Sequence, residues 1–380
     1  MRGGGLAGTW QFSYTPRSLG GSMRLRLAGL LVMAAVTAAA CGGGGGGTTT
    51  PTSPTPSNSA PTNLAITAQQ VSLSSNLVTL TWSGTASSYR VGIGTSSQAT
   101  NILTTDVSGT TYQWTAPRDA NAYYVRVSSL SGGQASSPSN EVLVYTIDLR
   151  HVIDAMYFRS GPMSDAPSAI PGNPIAGVWA DGTRLTVPIA QELGQATKTF
   201  ADRFLDDYAA ISGGTITASS GLVADDFRSL SLSKVPEFTI PTRVLSTFCT
   251  AGALACAYYG PSPLGGNRSI VTMVSSSAGA LRAMAHELGH AYGMGHVRVT
   301  AAVRAELNFM MNPTLVSDFM TETEKAAIAA ARAGGLRAGW SRNQALAAGL
   351  VAPVSVAEFK RVATLLNSGS RAADQCAIGR

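Results

Sequence analysis

The sequence predicts a multidomain protein in which a β-sandwich is followed by an α/β (α+β) domain. Three observations support this prediction. Between residues 62 and 146, short stretches alternate apolar and polar residues and end in Ser and Gly clusters, as in antiparallel sandwiches. From residue 147 onward, strand-like segments alternate with amphipathic helices. A chain of 380 residues can also hold two or three domains with separate cores.

Residues 1–41 have the features of an export signal. A positively charged start, Met23 to Arg26, precedes an apolar run over residues 27–40 that is too short to cross a bilayer. We therefore expect translation to start at Met23. The run ends in Ala-Ala-Ala before Cys41, which resembles the lipobox of bacterial lipoproteins. That resemblance implies a lipid on Cys41 that anchors an exported protein to a bacterial membrane, in the periplasm or at the cell surface. Ordinary signal cleavage followed by secretion is the alternative.

Residues 42–61 form a glycine run followed by a Thr/Pro/Ser stretch. Such a composition cannot bury a core, so we expect a flexible tether. The sandwich follows over residues 62–146. The residues that alternate on its predicted buried faces are Val78, Leu80 and Trp82, then Tyr123, Val125 and Val127, and residues 141–145 read as the last strand. The pattern resembles a fibronectin type III or similar immunoglobulin-like module, which implies a spacer role, with adhesion as the alternative.

Residues 147–340 make up the predicted second domain. The strands predicted there cover residues 184–189, 216–218, 238–245 and 269–274. Apolar residues at three- and four-residue spacing from Leu193 to Ile211 predict a helix that ends at Gly213-Gly214. Ser275 to Ser277 are expected to cap the next helix. Thr321 and Glu324 predict a capping box for a helix through Ala333, and residues 341–380 read as a tail with helical pieces.

Three of the four histidines lie close together, at His286, His290 and His296. His286 and His290 are four residues apart, so they share one helical face and can reach one metal ion. His296 cannot share that ion if the helix continues, because six further residues carry it about 9 Å along the axis. Gly293 allows a turn with φ > 0 that brings His296 back. Three neutral imidazoles, with Glu287 beside them, predict an open catalytic zinc site.

The motif His286-Glu287-x-x-His290-x-x-Gly293-x-x-His296 resembles the signature of the metzincin clan of zinc metallopeptidases. This resemblance implies a metzincin-like catalytic domain over residues 147–340. It also implies a zinc metalloendopeptidase, a hydrolase that cleaves peptide bonds through a zinc-bound water with Glu287 as general base.

Two further features follow from the same resemblance. Residues 308–313 resemble the clan's Met-turn, with Met311 favoured below the metal and Met310 as the alternative. The strand before the active-site helix is expected to be the sheet edge that binds extended substrate. Its residues would be Ser269, Ile270, Val271, Thr272 and Met273.

Composition limits the partners. The net charge of +6 comes from scattered arginines without interleaved aromatic residues, which argues against nucleic-acid binding. We expect a monomer that binds one Zn²⁺ and a peptide or protein substrate, and nothing in the sequence supports calcium. In an oxidising compartment, Cys249 and Cys256 are expected to pair. Two alternatives stay open for function: a non-catalytic surface adhesin or scaffold with a protease-like domain, and a zinc amidase acting on cell-wall peptides.

Overall fold

The computed structural model describes residues 58–119, 121–158, 178–245, 249, 253–261, 267–281, 283–297, 309–311 and 317–352. The predicted export signal, Cys41 and the tail after Ala352 lie outside these residues. No helix in the described parts of the chain combines the length and the apolar composition that crossing a membrane requires.

The first domain is a β-sandwich of two antiparallel sheets. Its strands are β1 (Thr62–Val71), β2 (Asn76–Ser83), β3 (Ser88–Gly94), β4 (Leu103–Ser108), β5 (Thr111–Ala116), β6 (Ala122–Ser131), β7 (Gln134–Pro138) and β8 (Val142–Tyr145). One sheet has the order β1-β2-β5, and the other has the order β4-β3-β6-β7 with β8 also paired to β6. The last strand, β8, starts at Val142, one residue later than the predicted range of 141–145.

Alternation along the strands builds the core of the sandwich. The side chains that the sequence placed on the buried faces of β2 and β6 are buried between the two sheets. Two edge-to-face aromatic pairs pack there: Trp82 with Tyr89, whose ring centroids are 5.5 Å apart, and Trp114 with Tyr123 at 5.3 Å. Such pairs stabilise a core by about 0.5–1.5 kcal/mol beyond their area burial.

The second domain combines a five-stranded mixed sheet with helices. Its elements are α1 (Leu149–Phe158), β9 (Arg184–Ala190), α2 (Gly194–Ile211), β10 (Thr217–Val223), β11 (Thr242–Val244), β12 (Ala255–Pro261), β13 (Asn267–Met273), α3 (Ala278–Leu281), α4 (Met284–Ala291), α5 (Glu322–Ala333) and α6 (Arg342–Ala347). The sheet order is β10-β9-β11-β13-β12. The pairings of β10, β9, β11 and β13 are parallel, and β12 runs antiparallel to β13.

Helix α2 carries the buried stripe that the sequence predicted. Phe204 and Tyr208 are buried on it, and their rings lie 5.1 and 4.6 Å from the ring of Tyr292, just after α4. The helix ends at Ile211, shortly before Gly213 and Gly214, whose φ angles of 62° and 77° suit glycine. Helix α2 therefore holds α4 against the rest of the domain.

The prediction that residues 269–273 form the edge of the sheet is wrong. Residues 269–273 belong to β13, which lies between β11 and β12, and their side chains are all buried. The true edge on this side of the sheet is β12, which the sequence analysis missed. Gly260 and Pro261 weaken the strand signal at the end of β12, whose pairing with β13 extends to Pro261.

Two other boundaries differ from the prediction. The serines at residues 275–277 precede the separate short helix α3, and the N-cap of α4 is Ala283, whose side chain makes no capping hydrogen bond. The strand expected over residues 238–245 is paired as β11 only over Thr242–Val244, with one isolated bridge before it between Thr239 and Thr186. Phe238, with a φ of 58°, lies outside the extended region.

Hydrogen bonds fix the start of the short connection between the two domains to the sandwich. Thr146, between β8 and α1, donates from Oγ1 to Oδ1 of Asp119 at 2.7 Å, and Tyr123 donates to Oδ2 at 2.6 Å. Burial alone would raise the pKa of Asp119, but these bonds outweigh burial and lower it. Burial and the bond to Asp119 raise the pKa of Tyr123 to about 12. Val71 of β1 also joins the core of the second domain.

The packing of the second domain continues past Trp340, where the sequence analysis ended it. Ala345, Leu350 and Val351 are buried in the same core. Arg342 makes two hydrogen bonds to the fully buried carboxylate of Asp154 on α1, at 2.8 and 2.9 Å. Residues 341–352 are therefore part of the domain.

Candidate metal centre

Helix α4 ends at a glycine turn, as the spacing of the motif predicts. Gly293 has a φ of 84°, a conformation that side chains with a Cβ rarely adopt. The N–H of Met294 donates back to the carbonyl of Gly289 at 2.9 Å, and that of Gly293 donates to His290 at 3.0 Å. These bonds satisfy carbonyls at the end of the helix. The chain reverses here, and His296 returns to the face of α4 that carries the other two histidines.

The reversal brings three imidazoles together in what we call the three-histidine centre (His286, His290 and His296). One ligand atom from each lies within 4.8 Å of the other two. Nε2 of His286 lies 3.2 Å from Nε2 of His296. Two nitrogens bound to one tetrahedral zinc are about 3.4 Å apart, so this separation is close to the one that zinc requires. The donor set is therefore compatible with zinc.

Hydrogen bonds to backbone carbonyls fix the orientation of two of the rings. Nδ1 of His286 lies 2.7 Å from the carbonyl oxygen of Met310, and Nδ1 of His290 lies 2.8 Å from that of Met294. A carbonyl can only accept, so Nδ1 carries the proton in both rings and Nε2 keeps its lone pair. Burial and the neighbouring His290 lower the pKa of His286 to about 3. His286 is therefore held as a neutral ligand.

Glu287 follows His286 directly on α4 and is only 4% exposed. Successive residues on a helix point about 100° apart, so the two side chains leave α4 in different directions. Glu287 is not a member of the three-histidine group. A carboxylate buried beside a metal site can accept a proton without serving as a ligand.

The methionine turn (residues 309–311) lies beneath α4. Met310 and Met311 are fully buried and have different roles. Met310 provides the carbonyl that orients His286. Met311 points its sulfur at Gly289, where an added Cβ would collide with Sδ. Of the two methionines that the sequence left open, Met311 has its sulfur against α4 at Gly289. Asn312 and Pro313 lie outside the described residues.

Gly289→Ala is expected to destabilise the protein by about 1–3 kcal/mol, because the new methyl overpacks Met311. Urea unfolding of the single variants and of the double variant Gly289→Ala/Met311→Ala measures the coupling. We expect the double variant to be more stable than the sum of the single effects by more than about 0.5 kcal/mol. Gly289→Ala/Met310→Ala is the control and should be additive. Coupling to Met310 instead would contradict the assignment of Met311.

Several residues that the sequence did not single out support the centre from a distance. The carbonyl of Met156, on α1, accepts from the N–H of Gly295 at 2.6 Å, next to His296. Nε1 of Trp179 donates to the carbonyl of Ala291 at the end of α4, at 3.3 Å. Glu324, recognised only as a capping residue, also binds the methionine turn. The capping box was a signal for Glu324, whereas Met156 acts through its backbone and leaves no signal.

Cys249 and Cys256 form a disulfide bond with Cα atoms 5.7 Å apart. Cys256 lies on β12, opposite Thr272 of β13. The bond therefore ties the segment before β12 to the edge of the sheet.

The chain matches no family model. It matches no curated protein either. Part of the chain has fibronectin type III modules among its structural neighbours. A Fn3-like protein from Clostridium thermocellum is 27% identical, and the match covers 24% of this chain and 94% of that protein, with a TM-score of 0.20. The FN5 domain of Drosophila Lar is 16% identical over 23% of this chain and 96% of its own, also with a TM-score of 0.20. The metzincin resemblance of the second domain stays a prediction.

Proposed function

We propose that this protein is a zinc-dependent endopeptidase. The observation that carries the proposal is the convergence of three buried imidazoles, together with the buried Glu287 on the helix that carries two of them. Three histidine ligands leave a fourth position of a tetrahedral ion for water or substrate, which is typical of catalytic rather than structural zinc.

Metal binding and proton transfer fall to different residues. His286, His290 and His296 would hold the ion. When bound, zinc supplies Lewis acidity and lowers the pKa of a coordinated water from about 15.7 to about 7. Glu287 accepts the proton as the water attacks the peptide carbonyl, and then passes it to the leaving amine.

The outer edge of β12 (Ala255–Pro261) supports a peptide substrate. β12 forms the end of the sheet, and no described strand pairs with its outer side. β12 and β13 both lie next to α4, which carries Glu287 and two of the histidines. An extended peptide can add to such an edge through backbone hydrogen bonds and would then run past the centre. This role replaces the one predicted for residues 269–273.

Removal of the metal tests the proposal. The purified protein is expected to cleave casein or a quenched peptide, to lose this activity with 1,10-phenanthroline, and to recover it when zinc is added. The non-chelating isomer 1,7-phenanthroline is the matched control and should have no effect. Binding without cleavage by the zinc-loaded protein would favour an adhesin. Cleavage of cell-wall peptides alone would favour an amidase.

A further inference from the structure

Glu324 is a fully buried carboxylate that makes more contacts than a helix cap needs. Two of its bonds, from the N–H and hydroxyl of Thr321 at 2.8 and 2.9 Å, stay within the N-terminal turn of α5. The other two come from the methionine turn. The N–H of Met310 donates to Oε2 at 3.0 Å, and the N–H of Met311 donates to Oε1 at 2.9 Å.

One peptide group connects Glu324 to a histidine of the centre. The peptide that joins Met310 to Met311 directs its N–H to Glu324 and its carbonyl oxygen to Nδ1 of His286, at 2.7 Å. The hydrogen bonds therefore run without a break from the carboxylate, through this single peptide, to the imidazole whose Nε2 faces the metal position.

We propose that Glu324 is a positioning residue for His286 and acts through this peptide. The inference rests on the proposed zinc function. A carboxylate that accepts the N–H of a peptide polarises that peptide, and its carbonyl becomes a stronger acceptor. The stronger bond to Nδ1–H fixes the ring of His286 and makes Nε2 a more basic ligand. Carboxylate–histidine–zinc triads tune metal sites in the same way, and here a peptide stands between the carboxylate and the ring.

A second capping box in the same domain shows that the cap alone does not require a carboxylate. At the start of α6, Ser341 and Gln344 form the same reciprocal box with a neutral side chain. Burial raises the pKa of Glu324, while the N–H groups of the methionine turn and of Thr321 counteract this effect. A buried carboxylate is costly to desolvate, so its use here indicates a demand beyond the cap.

Glu324→Gln tests the relay, by which we mean the hydrogen bonds from Glu324 through the Met310–Met311 peptide to His286. Gln fits a capping box with its amide oxygen in the place of Oε2, which accepts from Thr321 and Met310. Its NH₂ group then faces the N–H of Met311 and cannot accept from it, so the bond to the connecting peptide is lost. We expect the dissociation constant for zinc to rise about 10- to 100-fold, the usual effect of losing an outer partner of a metal ligand. Competition with a chromogenic chelator on the full-length protein measures this constant. The visible spectrum of the cobalt-substituted protein should shift as well.

Two control variants separate the relay from helix capping. Thr321→Ala breaks the cap of α5 but leaves the bond between Glu324 and Met311. Gln344→Ala breaks the equivalent box of α6. Both should lower stability while changing zinc affinity less than threefold.

The relay is wrong if Glu324→Gln is less stable but binds zinc as tightly as the wild type. If Glu324→Gln does not fold, Glu324→Asp takes its place, because it keeps the charge but draws the carboxylate back by one methylene. Wild-type zinc affinity in Glu324→Asp would also overturn the inference. A wild-type protein that binds no zinc would instead refute the proposed function itself, so the two failures are distinguishable.

Discussion

Glu287→Gln is expected to lower peptidase activity by about 10²- to 10⁴-fold, the contribution typical of a general base. The amide has nearly the same shape as the carboxylate but cannot take a proton from water. Zinc should stay bound, because the three ligands are histidines and Glu287 is not among them. Steady-state cleavage of a quenched peptide and the zinc content after dialysis measure the two effects on the same sample.

Glu322→Gln is the matched control for this variant. It makes the same chemical change on α5, where the side chain of Glu322 is 61% exposed, and should leave activity unchanged. Two results would reject the assignment of Glu287. Full activity in Glu287→Gln would mean that another group takes the proton, and loss of zinc would mean that Glu287 is itself a ligand.

His296→Ala is expected to remove zinc and, with it, all measurable peptidase activity. Structural zinc sites bind with about 10–16 kcal/mol, so each of four ligands contributes roughly 2.5–4 kcal/mol. Losing one ligand should therefore weaken zinc binding by at least about 10²-fold. Elemental analysis after dialysis against a weak chelator measures the bound metal, and circular dichroism checks the fold.

His151→Ala serves as the control for the removal of a histidine. His151 lies on α1 and does not belong to the three-histidine centre. This variant should keep one zinc per chain and full activity. If His296→Ala retained stoichiometric zinc, the third ligand would have to come from elsewhere in the chain.

The three-histidine arrangement could be predicted from the sequence because it depends on local geometry. The four-residue spacing of His286 and His290 fixes their common face, and the helix has to end where Gly293 allows a positive φ. The sandwich strands were predictable for the same reason. Alternation over a few residues determines which side chains are buried, as for those of β2.

The features that the sequence did not reveal depend on partners far away along the chain. β12 ends in Gly and Pro, which weaken its strand signal, and its place at the end of the sheet depends on pairing with β13, so the edge was assigned to the wrong strand. The second role of Glu324 depends on the methionine turn lying over the start of α5. Neither arrangement leaves a periodic signal.

The bond between Met156 and Gly295 has a consequence for the order in which the protein matures. Residues from Met156 to Glu324 must all be present before the ring positions are supported from every side. During synthesis, the shorter nascent chain has no complete site, because α5 emerges last among these parts. Under the proposed function, tight capture of zinc would therefore be a late event that follows release of most of the polypeptide.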